Sequence, residues 1–443
     1  MNFDNLKKTD KVCYDFIQEE IQRQETSLEL IPSECIASLS TIEALGSPFT
    51  NKYSEGYAKK RYYGGNDIVD KVELLAIERA KLAFPGVAHV NVQAYSGSPA
   101  NMAIYNAICD AGDTILGLSL SQGGHLTHGH KVSASSKFFN AIQYGLNKDG
   151  YIDLDEVERL ALEHKPKLII VGFTAYSREF PFEEFSKIAQ KVGAYLVADI
   201  SHISGLVVSG AHKSPTPYCD VVMSTTHKTL KGPRGAIIMV TEKGLEKDPD
   251  LSIKIDKSIF PGLQGGPHNH QTLAIAVALG EAIKPEFKEM NFEIIKNAKY
   301  LASCLMWYGF EIATNGTDNH LILMGVGKGR GVFMQEALDK AGITLNKNTI
   351  PNDPCSAFYP SGIRMGTPIM TMRGMKSEEM KKVADWIKRV YDIVSEFDYR
   401  ETKEERVEEL KKFYNFLENN KDLEKIREEV KELCLKFPIY KNT

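Results

Sequence analysis

Between residues 89 and 240, short apolar runs alternate with segments whose apolar residues recur every three or four positions. The runs are predicted as strands, at 89–94, 114–118, 168–173, 195–200, 220–223 and 236–240. Helices are predicted from Pro99 onward and over 154–163 and 183–192. Strands that are apolar on both faces are typical of parallel sheets covered by helices. The pattern therefore predicts an α/β fold built on a large, mostly parallel sheet.

The two ends of the chain have a different pattern. Residues 1–45 are polar with helical spacing, and 68–84 form a predicted helix that ends at Pro85-Gly86. After Gln271 a long helical stretch continues to Tyr308, followed by strand candidates at 310–313 and 320–324. We therefore predict an N-terminal helical arm over 1–45, a large domain over 46–280 and a small C-terminal α/β domain over 281–443.

The last segment, 401–436, is strongly charged, with apolar residues at intervals of three or four. This spacing is typical of amphipathic helices that pack on the body of a protein, and it favours that interpretation over a partner-binding tail.

Composition limits the class of protein. The 443 residues are 43% hydrophobic and 25% charged, which is ordinary for a soluble globular chain. The formal charge of −4 makes a nucleic-acid partner unlikely. The seven cysteines are widely spaced and form no Cys-x-x-Cys pair, so we expect a reducing, cytoplasmic setting and no metal site. Neither a signal peptide nor a run of about 18 apolar residues is present, so no membrane partner is predicted.

Two residues at predicted strand ends could carry chemistry, because ligands of parallel sheets bind at the carboxyl ends of the strands. Asp199 lies at the end of one apolar run, and Lys228 follows the next in the tract Thr-Thr-His-Lys. A lysine at such a place is a candidate Schiff-base nucleophile. A nearby aspartate could keep the nitrogen of a pyridoxal ring protonated. The alternative for Lys228 is a solvated loop residue.

A candidate anion site precedes one predicted helix. Ser96-Gly97-Ser98 follows the strand at 89–94, and Pro99 suits the first helical turn. Small residues let backbone N–H groups approach a phosphate at the positive end of a helix. An ordinary helix cap is the alternative. No Gly-x-Gly-x-x-Gly or Walker loop is present, which disfavours dinucleotide or nucleoside-triphosphate binding.

Three further residues have two interpretations each. His125, in the tract GGHLTHGH, could stack on an aromatic cofactor, or it could ligate a metal together with His128 and His130 of the same tract. Arg364 could bind a substrate carboxylate or form a surface salt bridge. Glu55 could be a general acid or base, or a solvated loop residue.

Eight tracts taken together resemble the serine hydroxymethyltransferase family. They are NKYSEGYAKKRYYGG (51–65), SGSPAN (96–101), GGHLTHG (123–129), ADISHISGLV (198–207), STTHKTLKGPRGA (224–236), FPGLQGGP (260–267), NKNTIPNDP (346–354) and SGIRMGTP (361–368). The lysine tract at 224–236 is the most specific, and the resemblance covers the chain from about residue 28 onward.

The resemblance implies a fold-type-I fold like that of aspartate aminotransferase, in which the large domain binds the cofactor. It implies pyridoxal 5′-phosphate as a Schiff base on Lys228, tetrahydrofolate as co-substrate, and serine and glycine as substrates. The implied catalytic residues are Lys228, Glu55, Asp199, His125, His202, Thr226 and Tyr63. The implied cofactor contacts are Ser96, Gly97, Ser98, His125, Thr174, Asp199, His202, His227, Lys228, Tyr53, Gly265 and Gly266. The implied substrate contacts are Ser33, Tyr63, Arg364, Glu55, Leu120, Gly124, Leu126 and Asn348.

The resemblance also implies a homo-oligomer, at least a dimer, with shared active sites. The glycine-rich loop 262–266, Tyr53 and Tyr63 would reach the active site of a second copy. Departures from the family's usual residues are Pro32, Cys35, Tyr95, Pro99, Thr174, Pro181 and Leu263. They leave open a folate-independent aldolase or transaldolase, or an α-methylserine variant. A non-catalytic RNA-binding relative is disfavoured by the acidic balance and by the presence of Asp199, Lys228 and Arg364.

Overall fold

The computed structural model describes residues 3–440. The strands are β1 (Leu28–Glu29), β2 (Gly56–Tyr57), β3 (Lys60–Arg61), β4 (Val87–Asn91), β5 (Thr114–Leu118), β6 (Asn140–Tyr144), β7 (Leu168–Gly172), β8 (Tyr195–Asp199), β9 (Val221–Thr225), β10 (Ala236–Thr241), β11 (Leu321–Gly325), β12 (Ile343–Thr344), β13 (Asn346–Asn348) and β14 (Gly362–Gly366).

The helices of the described residues are α1 (Asp4–Thr9), α2 (Lys11–Thr26), α3 (Leu39–Leu45), α4 (Asp67–Ala83), α5 (Gly97–Ile108), α6 (Ser135–Phe138), α7 (Leu154–His164), α8 (Phe182–Val192), α9 (Ser204–Val208), α10 (Glu242–Lys247), α11 (Leu251–Lys257), α12 (Asn269–Ala282), α13 (Pro285–Trp307), α14 (Gly331–Lys340), α15 (Pro368–Met372), α16 (Ser377–Ile393), α17 (Lys403–Glu418) and α18 (Lys421–Lys436). Short helical turns lie at Pro48–Asn51, Leu120–Gln122, Leu126–His128, Ser258–Leu263 and Ala313–Asn315.

A seven-stranded sheet in the order β4-β10-β9-β8-β7-β5-β6 forms the centre of the fold. Strands β6, β5, β7, β8 and β9 are parallel to one another, and β10 runs antiparallel to both of its neighbours. The predicted mixed α/β fold with a mostly parallel sheet is therefore confirmed. In the sheet register, Asp199 of β8 lies opposite Gly172 of β7 and Met223 of β9, which places it at the carboxyl ends of β7 and β8.

Helices cover both faces of this sheet. Alternate residues of the strands belong to different hydrophobic clusters: Ile169 and Leu196 pack with α4, α7, α8 and α12. Ile170 and Val197 pack with α5 and α11. Because both faces of the sheet are buried, the strand sequences are continuously apolar and do not alternate between apolar and polar residues.

A second hydrophobic cluster joins the C-terminal part of the chain to the segment after α2. The three-stranded sheet β11-β14-β13 lies within it, together with α13, α14 and α16 to α18. Leu28 and Leu30 belong to this cluster, and β1 pairs in parallel with β12. The helices predicted in 401–436 pack on the body, although Val407 remains 45% exposed. The domain limits given above stay a prediction.

The structure differs from the predicted elements at several places, and the short strands β2, β3, β12, β13 and β14 were not predicted. The strand expected at 310–313 is wrong: only Ile312 forms an isolated bridge, and Thr314 and Asn315 then adopt left-handed backbone angles. The helical pattern of 1–45 is interrupted after Thr26 by β1, because Leu28 is buried against the C-terminal core. The edge strand β6 was not predicted. In residues 3–440, every helix is too short or too polar to cross a membrane.

Candidate active site

A cavity of about 420 Å³ lies at the carboxyl ends of β8 and β9. Its lining combines residues of the large sheet with Arg364 from β14 and Ser33 from the segment after β1. The residues that line it are Ser33, Glu34, Ser96, Gly97, Ser98, Asn101, His125, Phe173, Thr174, Asp199, Ser201, His202, Thr225, His227, Lys228, Arg234 and Arg364. Eleven of these were predicted as site residues from the sequence, so strand topology brings distant tracts into one cavity.

Asp199 is a buried carboxylate with several hydrogen-bond donors. Asn101 Nδ2 donates to its Oδ2 at 3.0 Å, and His128 Nε2 lies 3.1 Å from the same oxygen. Ser201 donates to Oδ1 from its hydroxyl, at 2.6 Å, and from its backbone N–H. Burial alone would raise the pKa of Asp199, but the hydrogen bond and charge of His128 outweigh it and hold the pKa well below its usual value. Asp199 is therefore a fixed negative charge inside the cavity.

Lys228 presents an amine that is easily deprotonated. Burial lowers the pKa of Lys228 from 10.5 to about 8, although the charge of Asp199 opposes this shift. Two neighbouring polar atoms of the lining, Thr225 Oγ1 and His227 Nδ1, are buried without a hydrogen-bond partner in the described part of the chain. Buried polar atoms usually have partners, so their orphaned state is consistent with a polar ligand in the cavity.

The turn before α5 forms the cradle predicted for an anion. The backbone of Ser96 is extended, and α5 begins at Gly97, so the first N–H groups of the helix are free of partners within the helix. A Cβ at Gly97 would lie 2.7 Å from Thr225 Cγ2, which leaves room for a glycine alone. The small residues of the turn and the helix dipole make the N-terminal end of α5 suited to bind a phosphate.

Arg364 is a partly buried cation without a carboxylate partner among residues 3–440. Its Nε donates to Asn346 Oδ1 at 2.9 Å, and its Nη1 donates to the carbonyl oxygen of Thr174 at 2.5 Å. Burial lowers the pKa of Arg364 to about 10. A guanidinium has five N–H donors, so others remain for a ligand, and a bidentate carboxylate would compensate the buried charge.

The histidines of the cavity are held in their neutral form. Burial lowers the pKa of His125 to about 4, and it also places the pKa of His202 well below its usual value. His125 Nδ1 lies 2.7 Å from Thr127 Oγ1, which fixes the ring orientation. His202 stacks on His320, with ring centroids 5.6 Å apart. Neutral rings can stack on or hydrogen-bond to a cofactor without adding positive charge.

Five predicted site residues form a separate cluster outside this cavity. Tyr53 donates a hydrogen bond to Glu55 Oε1 at 2.8 Å, and its ring meets that of Tyr63 edge-on, with centroids 5.2 Å apart. Gly265 and Gly266 lie against this pair, since a Cβ at Gly266 would touch the Tyr53 ring at 2.8 Å. Tyr53 and Tyr63 are each about half exposed. We call these five residues the Glu55 module.

The remaining predicted residues lie beside the cavity without lining it. Thr226 is fully buried, and its hydroxyl donates to the carbonyl oxygen of Pro233. Gly124 accepts a hydrogen bond from the Thr174 hydroxyl. Leu120 lies in the turn after β5, Leu126 is 43% exposed, and Asn348 ends β13.

Sequence reasoning missed the residues that support Asp199. Asn101 lies one helical turn after Ser98, and His128 lies three positions after His125, but neither spacing indicates a contact with Asp199. Arg234 was missed as well, although it is six positions after Lys228 in the same tract. Among residues 3–440, no group of three acidic, histidine or cysteine side chains is placed to bind a metal ion.

A partly buried amine and a buried carboxylate at neighbouring strand ends, close to a helix start suited to a phosphate, are features that pyridoxal-phosphate enzymes require. The comparisons with known proteins agree with this class. A family model described as serine hydroxymethyltransferase matches residues 6–387. Serine hydroxymethyltransferase 2 of Pseudomonas putida (strain KT2440) is 47% identical over 439 residues, which cover 99% of this chain and 98% of the relative.

Serine hydroxymethyltransferase 2 of Pseudomonas fluorescens (strain Pf0-1) is also 47% identical, over 98% of both chains. The same identity and coverage hold for serine hydroxymethyltransferase 1 of Pseudomonas fluorescens (strain Pf-5). The chain belongs to the serine hydroxymethyltransferase family. Enzymes of this family use pyridoxal phosphate, with tetrahydrofolate as co-substrate.

Proposed function

We propose that the protein transfers the hydroxymethyl carbon of serine reversibly to tetrahydrofolate, giving glycine and 5,10-methylenetetrahydrofolate. The observation that carries this proposal is the meeting of Lys228, Asp199 and Arg364 in one cavity. An amine with a lowered pKa, a fixed carboxylate and a carboxylate-binding cation are what this reaction needs from the protein.

The lining fits pyridoxal phosphate. Ser96, Gly97 and Ser98 would hold the phosphate at the start of α5, and Lys228 would provide the attachment point. Asp199 would face the ring nitrogen, and His125 would stack on the ring. Thr174, His202 and His227 would contact the remaining polar atoms of the cofactor. The buried His227 Nδ1, which has no hydrogen-bond partner among the described residues, supports this placement. When bound, the cofactor supplies an electron sink for cleavage of a bond at the amino-acid α carbon.

Each residue of the site has its own proposed role in the reaction. Asp199 keeps a proton at the ring nitrogen, because its hydrogen bonds hold it ionised. Arg364, with Ser33, binds the substrate carboxylate and thereby orients the bond to be broken. Glu55 moves the proton of the serine hydroxyl, with Tyr63 beside it. Thr226 supports the loop that carries Lys228 through its hydrogen bond to Pro233.

The Glu55 module is proposed to serve the active site of a second copy of the chain, so the smallest active assembly is a homodimer. Its residues lie outside the cavity of their own chain, and two of its tyrosines are half exposed. Ile68, Leu75 and Leu82, spaced by seven on α4, offer an exposed apolar stripe on which two copies could pair.

The finer structural assignments are also proposals. The sheet order supports a fold-type-I arrangement like that of aspartate aminotransferase, with a large cofactor-binding domain over 46–280 and a small domain over 281–443. Leu120, Gly124, Leu126 and Asn348, beside the cavity, are proposed to contact the pterin. A cytoplasmic location is supported by the seven cysteines, all of which are free thiols.

Serine turnover measured with and without tetrahydrofolate tests this proposal. We expect glycine formation to require the reduced folate, to vanish in Lys228→Ala, and to show a greatly raised KM for serine in Arg364→Ala. Equal rates with and without the folate would instead identify a folate-independent aldolase. Faster turnover of α-methylserine than of serine would identify the α-methylserine variant.

A further inference from the structure

Tyr95 lies between the two groups of site residues. It directly precedes Ser96 of the anion cradle. On its other side, its hydroxyl donates to the carbonyl oxygen of Gly266 at 2.7 Å. Tyr95 thus connects the anion cradle to the glycine loop of the same chain.

Besides the hydrogen bond to Gly266, a ring contact and a backbone hydrogen bond fix Tyr95 in place. Its ring stacks on His268 with a centroid distance of 4.0 Å and an interplanar angle of 4°. Its backbone N–H donates to Gln264 Oε1, and Gln264 Nε2 in turn donates to the carbonyl oxygen of Gln93. Burial raises the pKa of Tyr95, as does the charge of Glu55, so the hydroxyl remains protonated and keeps its role as a donor.

The hydrogen bond from Tyr95 leads to Glu55 by direct contact. Gly266 presses against the Tyr53 ring so closely that a Cβ would lie 2.8 Å from it. The Tyr53 hydroxyl donates to Glu55 Oε1 at 2.8 Å. A Cβ on Gly265 would lie 3.4 Å from the same oxygen. A movement of the glycine loop therefore moves the carboxylate.

We propose that Tyr95 is a positioning residue: its hydroxyl holds the glycine loop and, through Gly266 and Tyr53, sets the place of Glu55 in the active site of a second copy of the chain. The inference rests on the proposed function, in which the Glu55 module acts across a dimer.

Tyr95→Phe is the direct test, because it keeps the ring that stacks on His268 and removes the hydroxyl alone. We expect kcat for serine with tetrahydrofolate to fall roughly tenfold, as loss of one good hydrogen bond allows. The KM for serine should stay unchanged, because Arg364 lies in the other group of residues. Tyr308→Phe is the matched control, since it also removes one hydroxyl donor, to Asp385, far from the cavity along the chain.

Hybrid dimers show in which copy Tyr95 acts. When one chain carries Lys228→Ala, the working cavity belongs to the other chain, and the Lys228→Ala chain supplies the Glu55 module to it. Adding Tyr95→Phe to the Lys228→Ala chain should reproduce the tenfold loss. Adding it to the other chain should leave turnover at the level of the hybrid without it.

Three results overturn the inference. They are an unchanged kcat in Tyr95→Phe, a loss seen only when Tyr95→Phe lies in the chain with the working cavity, and two chains that do not pair. The proposed function fails separately: in that case the unmodified protein itself would turn over serine equally well without tetrahydrofolate. Equal urea midpoints for Tyr95→Phe and Tyr308→Phe would show that loss of activity is not loss of folding.

Discussion

At the scale of single residues, the cavity changes the acidity of its groups through burial. Lys228 is the clearest case, because removing it from water lowers the pKa of its amine from 10.5 to about 8. A nucleophilic amine must be uncharged, and near neutral pH an ordinary lysine is almost wholly protonated. The cavity thus prepares Lys228 before any ligand binds.

This shift predicts a pH dependence for attachment of the cofactor. The uncharged fraction of Lys228 should rise from about one-tenth at pH 7 to about nine-tenths at pH 9, and then level off. The rate at which the apoprotein takes up pyridoxal phosphate, followed by absorbance, should rise in the same way. Lys228→Ala, with no amine at this place, should show no covalent uptake. A rate that keeps climbing to pH 10 or above would mean that the pKa is not lowered.

The charged residues of the site were predictable from sequence, and the residues that hold them were not. Asp199 and Lys228 follow apolar runs, so the rule for strand ends finds them. His128 contacts Asp199 across 71 positions of sequence, and the packing of the turn at Leu126–His128 against α5 and β5 brings them together. A pattern along the chain has no access to such a contact.

At the scale of elements, the start of α5 is shaped by one close approach. Gly97 packs against Thr225 of β9, whose side chain is 6% exposed and cannot move aside freely. We expect Gly97→Ala to displace the cradle and raise the dissociation constant for pyridoxal phosphate at least tenfold, measured by titration of the apoprotein. Gly46→Ala is the control, because the nearest atom to its Cβ is 3.7 Å away. Equal affinities for the two variants would show that the cradle tolerates a side chain.

A buried ion network fixes the hairpin that carries Glu55. Arg61 in β3 pairs with Glu73 of α4, and both side chains are 4% exposed. Arg61 Nη1 also donates to the carbonyl oxygens of Ser54 and Gly56, the two residues that flank Glu55. The short strands β2 and β3 could not hold this shape through their own two residue pairs.

We expect Arg61→Ala to lower the free energy of unfolding by about 3–5 kcal/mol, because it leaves Glu73 buried without its cation. Urea denaturation measures this loss. Arg159→Ala serves as the comparison, since Arg159 is 61% exposed in its pair with Glu163, and such pairs contribute less than about 1 kcal/mol. Similar losses in both variants would contradict a stabilising role for the buried network.

At the scale of the whole molecule, the predicted site residues fall into two groups, those that line the cavity and those of the Glu55 module. The cavity collects residues from four parallel strand ends and from β14, which explains why its tracts are spread over most of the sequence. The parallel core was predictable because its strands are apolar throughout. The turn at Ala313–Asn315 and the pairing of β1 with β12 were not, because each depends on contacts with distant parts of the chain.

If a second copy completes the site, breaking the dimer must stop turnover while leaving the cavity intact. Ile68 is 58% exposed on α4, within the apolar stripe and five positions after Tyr63 of the Glu55 module. A glutamate at this position would place a charge in an apolar interface, and the cost of burying that charge would weaken association of the two copies.

We expect Ile68→Glu to halve the mass in sedimentation and to lower kcat at least a hundredfold, because Glu55 no longer reaches a second cavity. Covalent uptake of pyridoxal phosphate on Lys228 should persist, since Lys228 and Asp199 belong to the same chain. Leu162→Glu, at a site 52% exposed on α7, should change neither mass nor turnover. An Ile68→Glu protein that sediments as a single chain yet turns over serine at the original rate would show that one copy holds a complete active site.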